Sequence, residues 1–125
     1  MGTQEPISSE AETAEPVSAT TLRVRALNDA LRTSFRGGTV FMTRGIDALS
    51  ERDRDAIITA VRTFDAFTED NDPYGQHDCA TLTVAGHDVM FKVDYYDRGM
   101  AHGSPDASDP SVTARVLTVL FTHEY

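Results

Sequence analysis

Cysteine is nearly absent: Cys79 is the only one in 125 residues. A single thiol excludes an intramolecular disulfide framework and removes the basis for a multi-cysteine zinc or iron–sulfur site. A reducing cytoplasm is the compartment this composition suits. No run reaches the ~20 apolar residues needed to cross a bilayer. The leading MGTQEPISSEAETAEP has neither the basic nor the apolar region of a secretory signal. Pro6 stands where an N-myristoylation pattern needs Ser or Thr, so no membrane association is expected. The patterns GxGxxG, GxxxxGK[ST] and GxSxG do not occur, which argues against nucleotide-driven or nicotinamide-dependent work and against a nucleophile elbow. No internal repeat is visible.

What is present suits one domain. A chain of 125 residues with 40% hydrophobic and 25% charged residues can bury one core and is too short for two. Charge is unevenly placed. Residues 1–20 hold four acids and no basic residue, residues 21–62 hold eight arginines against five acids, and residues 63–125 hold eleven acids against three basic residues. The last segment therefore carries −8 of the net −9. Such a surface repels nucleic acid and suits a partner protein with a basic surface.

Residues 1–20 are Ser/Thr/Ala/Glu/Pro-rich and lack clustered large apolar side chains, so they read as a disordered acidic tail before a single domain at 21–125. A helix is expected over 21–36, with Val24, Leu27, Ala30, Leu31 and Phe35 on its apolar face and Gly37-Gly38 ending it. The run TVFMT at 39–43 reads as a strand. Ser50 with Asp53 fits a capping box, and an apolar stripe continues through Ala56, Ile57, Ala60, Val61, Phe64 and Phe67. Residues 79–85 and 88–96 read as strands joined at Gly86-His87, with Val89, Phe91, Val93 and Tyr95 facing the core. The closing SVTARVLTVLFTHEY follows Asp109-Pro110, a good N-cap and first-turn pair, and is read as a helix, with a strand as the alternative. The expected class is α+β, in the order helix-strand-helix-hairpin-helix, with a three-stranded antiparallel sheet packed against helices.

Two polar loops concentrate the chemistry. In DNDPYGQHD (70–78) the acids and glycine partly match a calcium loop, but Tyr74 and Thr81 occupy positions where ligands are required. His77, His87, His102 and His123 show no paired zinc spacing, and His77 with Cys79 on one strand face is the nearest approach to a pair. No metal and no cofactor are expected. The second stretch is KVDYYDRG (92–99). If the two loops lie side by side, His77, Asp94, Tyr96 and Asp97, with Asp72, are candidates for acid–base work. Those acids also serve as ordinary turn formers. The candidate binding surface comprises Asp70, Asp72, Tyr74, His77, Asp78, Tyr96, Asp97, Asp106 and Asp109. Arg25, Arg32 and Arg36 share one side of the first helix, where Asp29 offers an intrahelical partner, so a DNA-binding stripe is the less economical account.

The blocks LNDALR (27–32), FDAFTEDNDPYGQHD (64–78), KVDYYD (92–97), GSPDASDP (103–110) and RVLTVL (115–120) occur in this order. Together they resemble a bacterial family catalogued as domain of unknown function 3768. The resemblance implies a small alphaproteobacterial protein, often carried on plasmids or other mobile elements, with no activity attached to these blocks. Three readings follow. The first is a non-enzymatic, acidic protein-interaction module of regulator or counter-defence type. The second is a small metal-assisted or acid–base enzyme using the loop Asp/His/Tyr cluster, and the third a homodimer through an exposed sheet edge.

Overall fold

A computed structural model describes residues 17–125. The tail reading for residues 1–16 lies outside the described residues, and its last part is corrected. Ser18 accepts the Thr21 amide at 3.0 Å, which caps a helix α1 at Ala19–Ser34. Its buried stripe is Val24, Asn28, Leu31 and Arg32, so two polar side chains lie where the sequence suggested only apolar ones. Phe35 is not on that face. It forms the left-handed C-cap at φ 57°, with the Arg62 guanidinium 4.7 Å from its ring centre.

Strand β1 (Thr39–Met42) stops one residue short of the expected run, because Thr43 turns to cap a single helical turn, α2 (Arg44–Asp47). Helix α3 (Glu51–Thr63) starts as expected, with Ser50 Oγ accepting the Asp53 amide at 3.1 Å. The reciprocal half of the box is replaced: the Asp53 carboxylate pairs with His87. The helix ends at Phe64, its C-cap. Phe67 therefore packs from a loop and not from a fourth helical turn.

Strands β2 (Cys79–Val84) and β3 (His87–Tyr96) form the expected hairpin, with its turn shifted by one residue. Val84 pairs with His87, leaving Ala85 and Gly86 as the loop, at φ 53° and 82°. Two positive φ values in succession are the signature of a type I′ turn, whose twist matches the strands.

The final segment is a strand. Asp109 does cap the Pro110 turn, accepting the Ser111 amide at 2.9 Å. Only a 3₁₀ turn at Pro110–Val112 results before the β-branched run opens into β4, Ala114–Phe121. The sheet is consequently four-stranded and mixed, in the order β1-β4-β3-β2, with β1 parallel to β4 and the other pairs antiparallel. The domain is a small α+β unit, with one strand more than expected and one parallel pair.

Leu31, Ile46, Ile57 and Val61 of the three helices meet Ala80, Val89, Phe91, Val93, Leu117 and Val119 in one core, so the helices cover a single sheet face. Strand alternation puts Cys79, Lys92, Asp94 and Tyr96 on the other face. Among the described residues no helix is long and apolar enough to cross a membrane.

Candidate functional site

Helix α1 and the loop 64–78 meet at one end of the covered sheet face, and their polar side chains are interlocked. Asn28, fully buried, donates to the Gln76 carbonyl at 3.0 Å and to Tyr95 Oη at 2.8 Å. Its own oxygen accepts Arg115 Nε at 2.8 Å. Arg115 is 2% exposed and, among the described residues, has no carboxylate within ion-pair distance; it also donates to Ala107 O and lies over the Tyr95 ring. Burial lowers the Arg115 pKa from its ordinary value and pushes the Tyr95 phenol up to about 12. These groups form a fixed scaffold that sets the loop against the helix.

The loop closes on itself. Asn71 Oδ1 accepts the Thr68 amide at 2.8 Å and Asn71 Nδ2 donates to the Ala66 carbonyl at 2.9 Å. The buried Asp72 carboxylate accepts the His77 amide at 3.2 and 3.3 Å. Much of the density of DNDPYGQHD is thus the chemistry of a turn.

His77 itself is held by three residues, Asp72 at its amide, Phe67 under its ring and Asp29 at Nδ1. Its backbone sits at φ 55°, a left-handed conformation that costs a non-glycine residue roughly 1–2 kcal/mol. The ring lies flat on Phe67, with centroids 3.8 Å apart and planes 4° from parallel. Nδ1 is 3.0 and 3.1 Å from the two oxygens of Asp29. Because a carboxylate only accepts, the neutral ring carries its proton on Nδ1. Nε2 is then the lone-pair nitrogen, 3.8 Å from Asp72 Oδ2.

Asp29 is held in turn by Arg32, whose Nη2 donates at 2.9 Å. Arg32 is 3% exposed; its Nη1 donates to the carbonyls of Val61 and Phe64 at 3.0 and 2.8 Å, and its guanidinium stacks near Phe67 and Phe91. The expected Arg32–Asp29 pair is real, and the burial of Arg32 removes it from any DNA-facing stripe. Its Nε is buried with no hydrogen-bond partner among the described residues.

An open cleft of about 780 Å³ runs beside this array, and Arg25, Phe67, Glu69, Asp72, Tyr74 and His77 are among its lining residues. Of the sequence-stretch candidates, the structure brings Asp72, Tyr74 and His77 together there. Asp94 and Tyr96 lie on the opposite sheet face, where Asp94 pairs with Lys92. Asp97 caps the next turn through the Ala101 amide at 3.0 Å. None of Asp94, Tyr96 and Asp97 lines the cleft of His77, so the two stretches do not share that pocket. Cys79 likewise does not share a face with His77. Asp70 is an exposed turn residue. Asp106 and Asp109 cap the Ser108 and Ser111 amides at 3.0 and 2.9 Å, and the Ser108 hydrogen bonds hold the Asp106 carboxyl below its usual range. Half-buried Asp78 has its pKa raised by desolvation and, further, by Asp72 and Asp94. Burial, with Asp78 and Asp72 nearby, pushes the Cys79 thiol up, away from nucleophilic thiolate. Among the described residues no three His, Cys, Asp or Glu side chains are grouped to hold a metal ion.

Asp29, Arg32 and Phe67 were not singled out as site residues by sequence. The available signal was the pair Asn28 and Arg32, four apart and flanked by Val24 and Leu31, which places polar atoms on a helix face headed for the core.

No curated protein and no solved structure matches the chain. A family model described as protein of unknown function (DUF3768) matches residues 42–124. That span contains the loop of His77 but not Asp29 or Arg32, so the site joins the matched segment to the helix before it. With the match covering well over half its length, the chain belongs to the DUF3768 family.

Proposed function

We propose that the chain binds a small molecule in the cleft between α1 and the 64–78 loop, and that His77 exchanges a proton with it. The observation that carries this reading is the His77 ring, kept in a strained backbone conformation with Nδ1 on Asp29 and, among the described residues, with no hydrogen-bond partner at Nε2. Strain of this kind persists where the surroundings over-determine it, and such positions cluster at ligand sites. A histidine oriented by a carboxylate has the arrangement that general acid–base chemistry uses. Asp29 is the positioning residue, and Arg32 fixes Asp29.

The test is capture on the immobilised full chain from a host extract, with retained small molecules identified by mass spectrometry. His77→Asn suits the comparison because Asn tolerates left-handed φ. The expected result is a compound retained by the wild type and lost from His77→Asn and Asp29→Asn. Equal retention by all three contradicts the reading.

A second reading is favoured by a separate observation, the −8 balance of residues 63–125. It makes the chain a cytoplasmic, non-enzymatic module serving a mobile element, which binds a partner with a basic surface through its acidic loops. The same capture, read for proteins, tests it: lysines in place of Asp70, Asp97, Asp106 and Asp109 are expected to abolish a specific partner. Unchanged capture contradicts it.

A further inference from the structure

Arg25 lies in the same cleft as His77 and is not consumed by it. Its Nε donates to the Gly75 carbonyl at 2.6 Å, which fixes the direction of the guanidinium fork. Among the described residues neither terminal nitrogen has a protein acceptor, and no carboxylate comes within ion-pair distance. The neighbouring Gly75, at φ 71°, is what leaves the fork accessible: a Cβ there would stand 3.0 Å from Arg25 Nη2. Arg25 is half-buried, so its charge acts through less water than that of a surface arginine.

We infer that the cleft takes a ligand bearing an oxyanion, a carboxylate or a phosphate, and that Arg25 recognises that group through its two terminal nitrogens. The inference rests on the cleft reading above and adds the ligand class. A planar fork with its outer donors free matches two oxygens of one anion. The two cleft acids do not act alike. The Asp72 side chain is 4% exposed and its oxygens face the His77 amide, so its charge points inward. Glu69 is exposed at the rim and opposes an incoming anion.

The test follows the Arg25 Nε–Hε and His77 ring signals by NMR in the labelled full chain. Inorganic phosphate and acetate are titrated separately, with sodium chloride at matched ionic strength as the control. Saturable shifts at Arg25 with at least one of the two are expected, and the one that binds more tightly identifies the anion type. Arg25→Gln is expected to weaken binding about tenfold or more, the worth of a hydrogen bond to a charged group, and Arg25→Lys to retain part of it. Glu69→Gln is expected to tighten binding by up to about fivefold, as for removal of one exposed charge; a purely structural role for Arg25 predicts no such gain. The capture experiment reads the His77 proposal separately: anion shifts at Arg25 with equal capture by His77→Asn fail the His77 reading alone, and a compound lost from His77→Asn without anion shifts at Arg25 fails the anion site alone. Shifts that chloride reproduces, no saturable shift with either anion, or binding unchanged in Arg25→Gln overturns the inference.

Discussion

Among the described residues, two histidine–carboxylate pairs are of nearly equal length, His77 with Asp29 at 3.0 Å and His87 with Asp53 at 3.1 Å, and the exposures of the two histidines are close, at 21% and 27%. Their surroundings differ. His77 bonds through Nδ1, stacks flat on Phe67, has a second carboxylate near Nε2 and sits in left-handed backbone above a cleft. His87 bonds through Nε2, opens strand β3, and tilts at 55° to the Phe121 ring. The His87 pair ties the start of α3 to the hairpin. The contact distance alone does not distinguish the two histidines; what lies behind the carboxylate and in front of the other ring nitrogen does.

The largest expected difference between the two comes from what stands behind them. Arg32→Met removes the guanidinium donor from Asp29 and from the carbonyls of Val61 and Phe64, and is expected to cost roughly 3 kcal/mol in chemical denaturation. Among the described residues the Asp53 carboxylate has only His87 as a partner. At the carboxylates themselves, Asp29→Asn is expected to cost about 1–2 kcal/mol, since it loses a charge-assisted bond to each of two partners. Asp53→Asn is expected to cost under about 1 kcal/mol. Equal losses would remove the distinction.

A smaller effect should reverse sign between the pairs. At position 77 the positive φ favours glycine, so His77→Gly is expected to be more stable than His77→Ala by about 1 kcal/mol. At position 87, in a strand, alanine is expected to exceed glycine by roughly 0.5–1 kcal/mol. The smallest effect is pH-dependent and concerns Asp78, adjacent to His77. Its carboxyl titrates above the ordinary value because it is desolvated and near Asp72 and Asp94. A raised carboxyl contributes stability below its unfolded value that is lost as the pH rises through its folded value. Asp78→Asn is therefore expected to stabilise the protein modestly at neutral pH, with the gain vanishing in acid; a gain that persists in acid would contradict this cause.

Local chemistry was legible in the sequence where one interaction dominates. The Ser50 cap, the alternation of β3 and the turn-forming acids at 97, 106 and 109 are local in this sense. The last segment was not legible, because Asp109-Pro110 signals a helix start and Val116, Thr118 and Val119 signal a strand; pairing with both β3 and β1 decides the conflict. The site was half legible. His77 and Asp72 are five residues apart within one loop and could be read together. Asp29 is separated from His77 by 48 positions, and its role depends on α1 packing against the loop. Composition groups Asp94 with His77, whereas strand alternation turns Asp94 to the uncovered face and His77 stacks on Phe67 at the core side.

The central claim is that Asp29 fixes the His77 ring with its proton on Nδ1 and its lone pair on Nε2. Long-range ¹H–¹⁵N NMR of the imidazoles, above the pH where they titrate, reports this directly. The account predicts that neutral His77 is protonated on Nδ1 and neutral His87 on Nε2, and that Asp29→Asn erases the first preference without touching the second. Protonation of neutral His77 on Nε2 would contradict it.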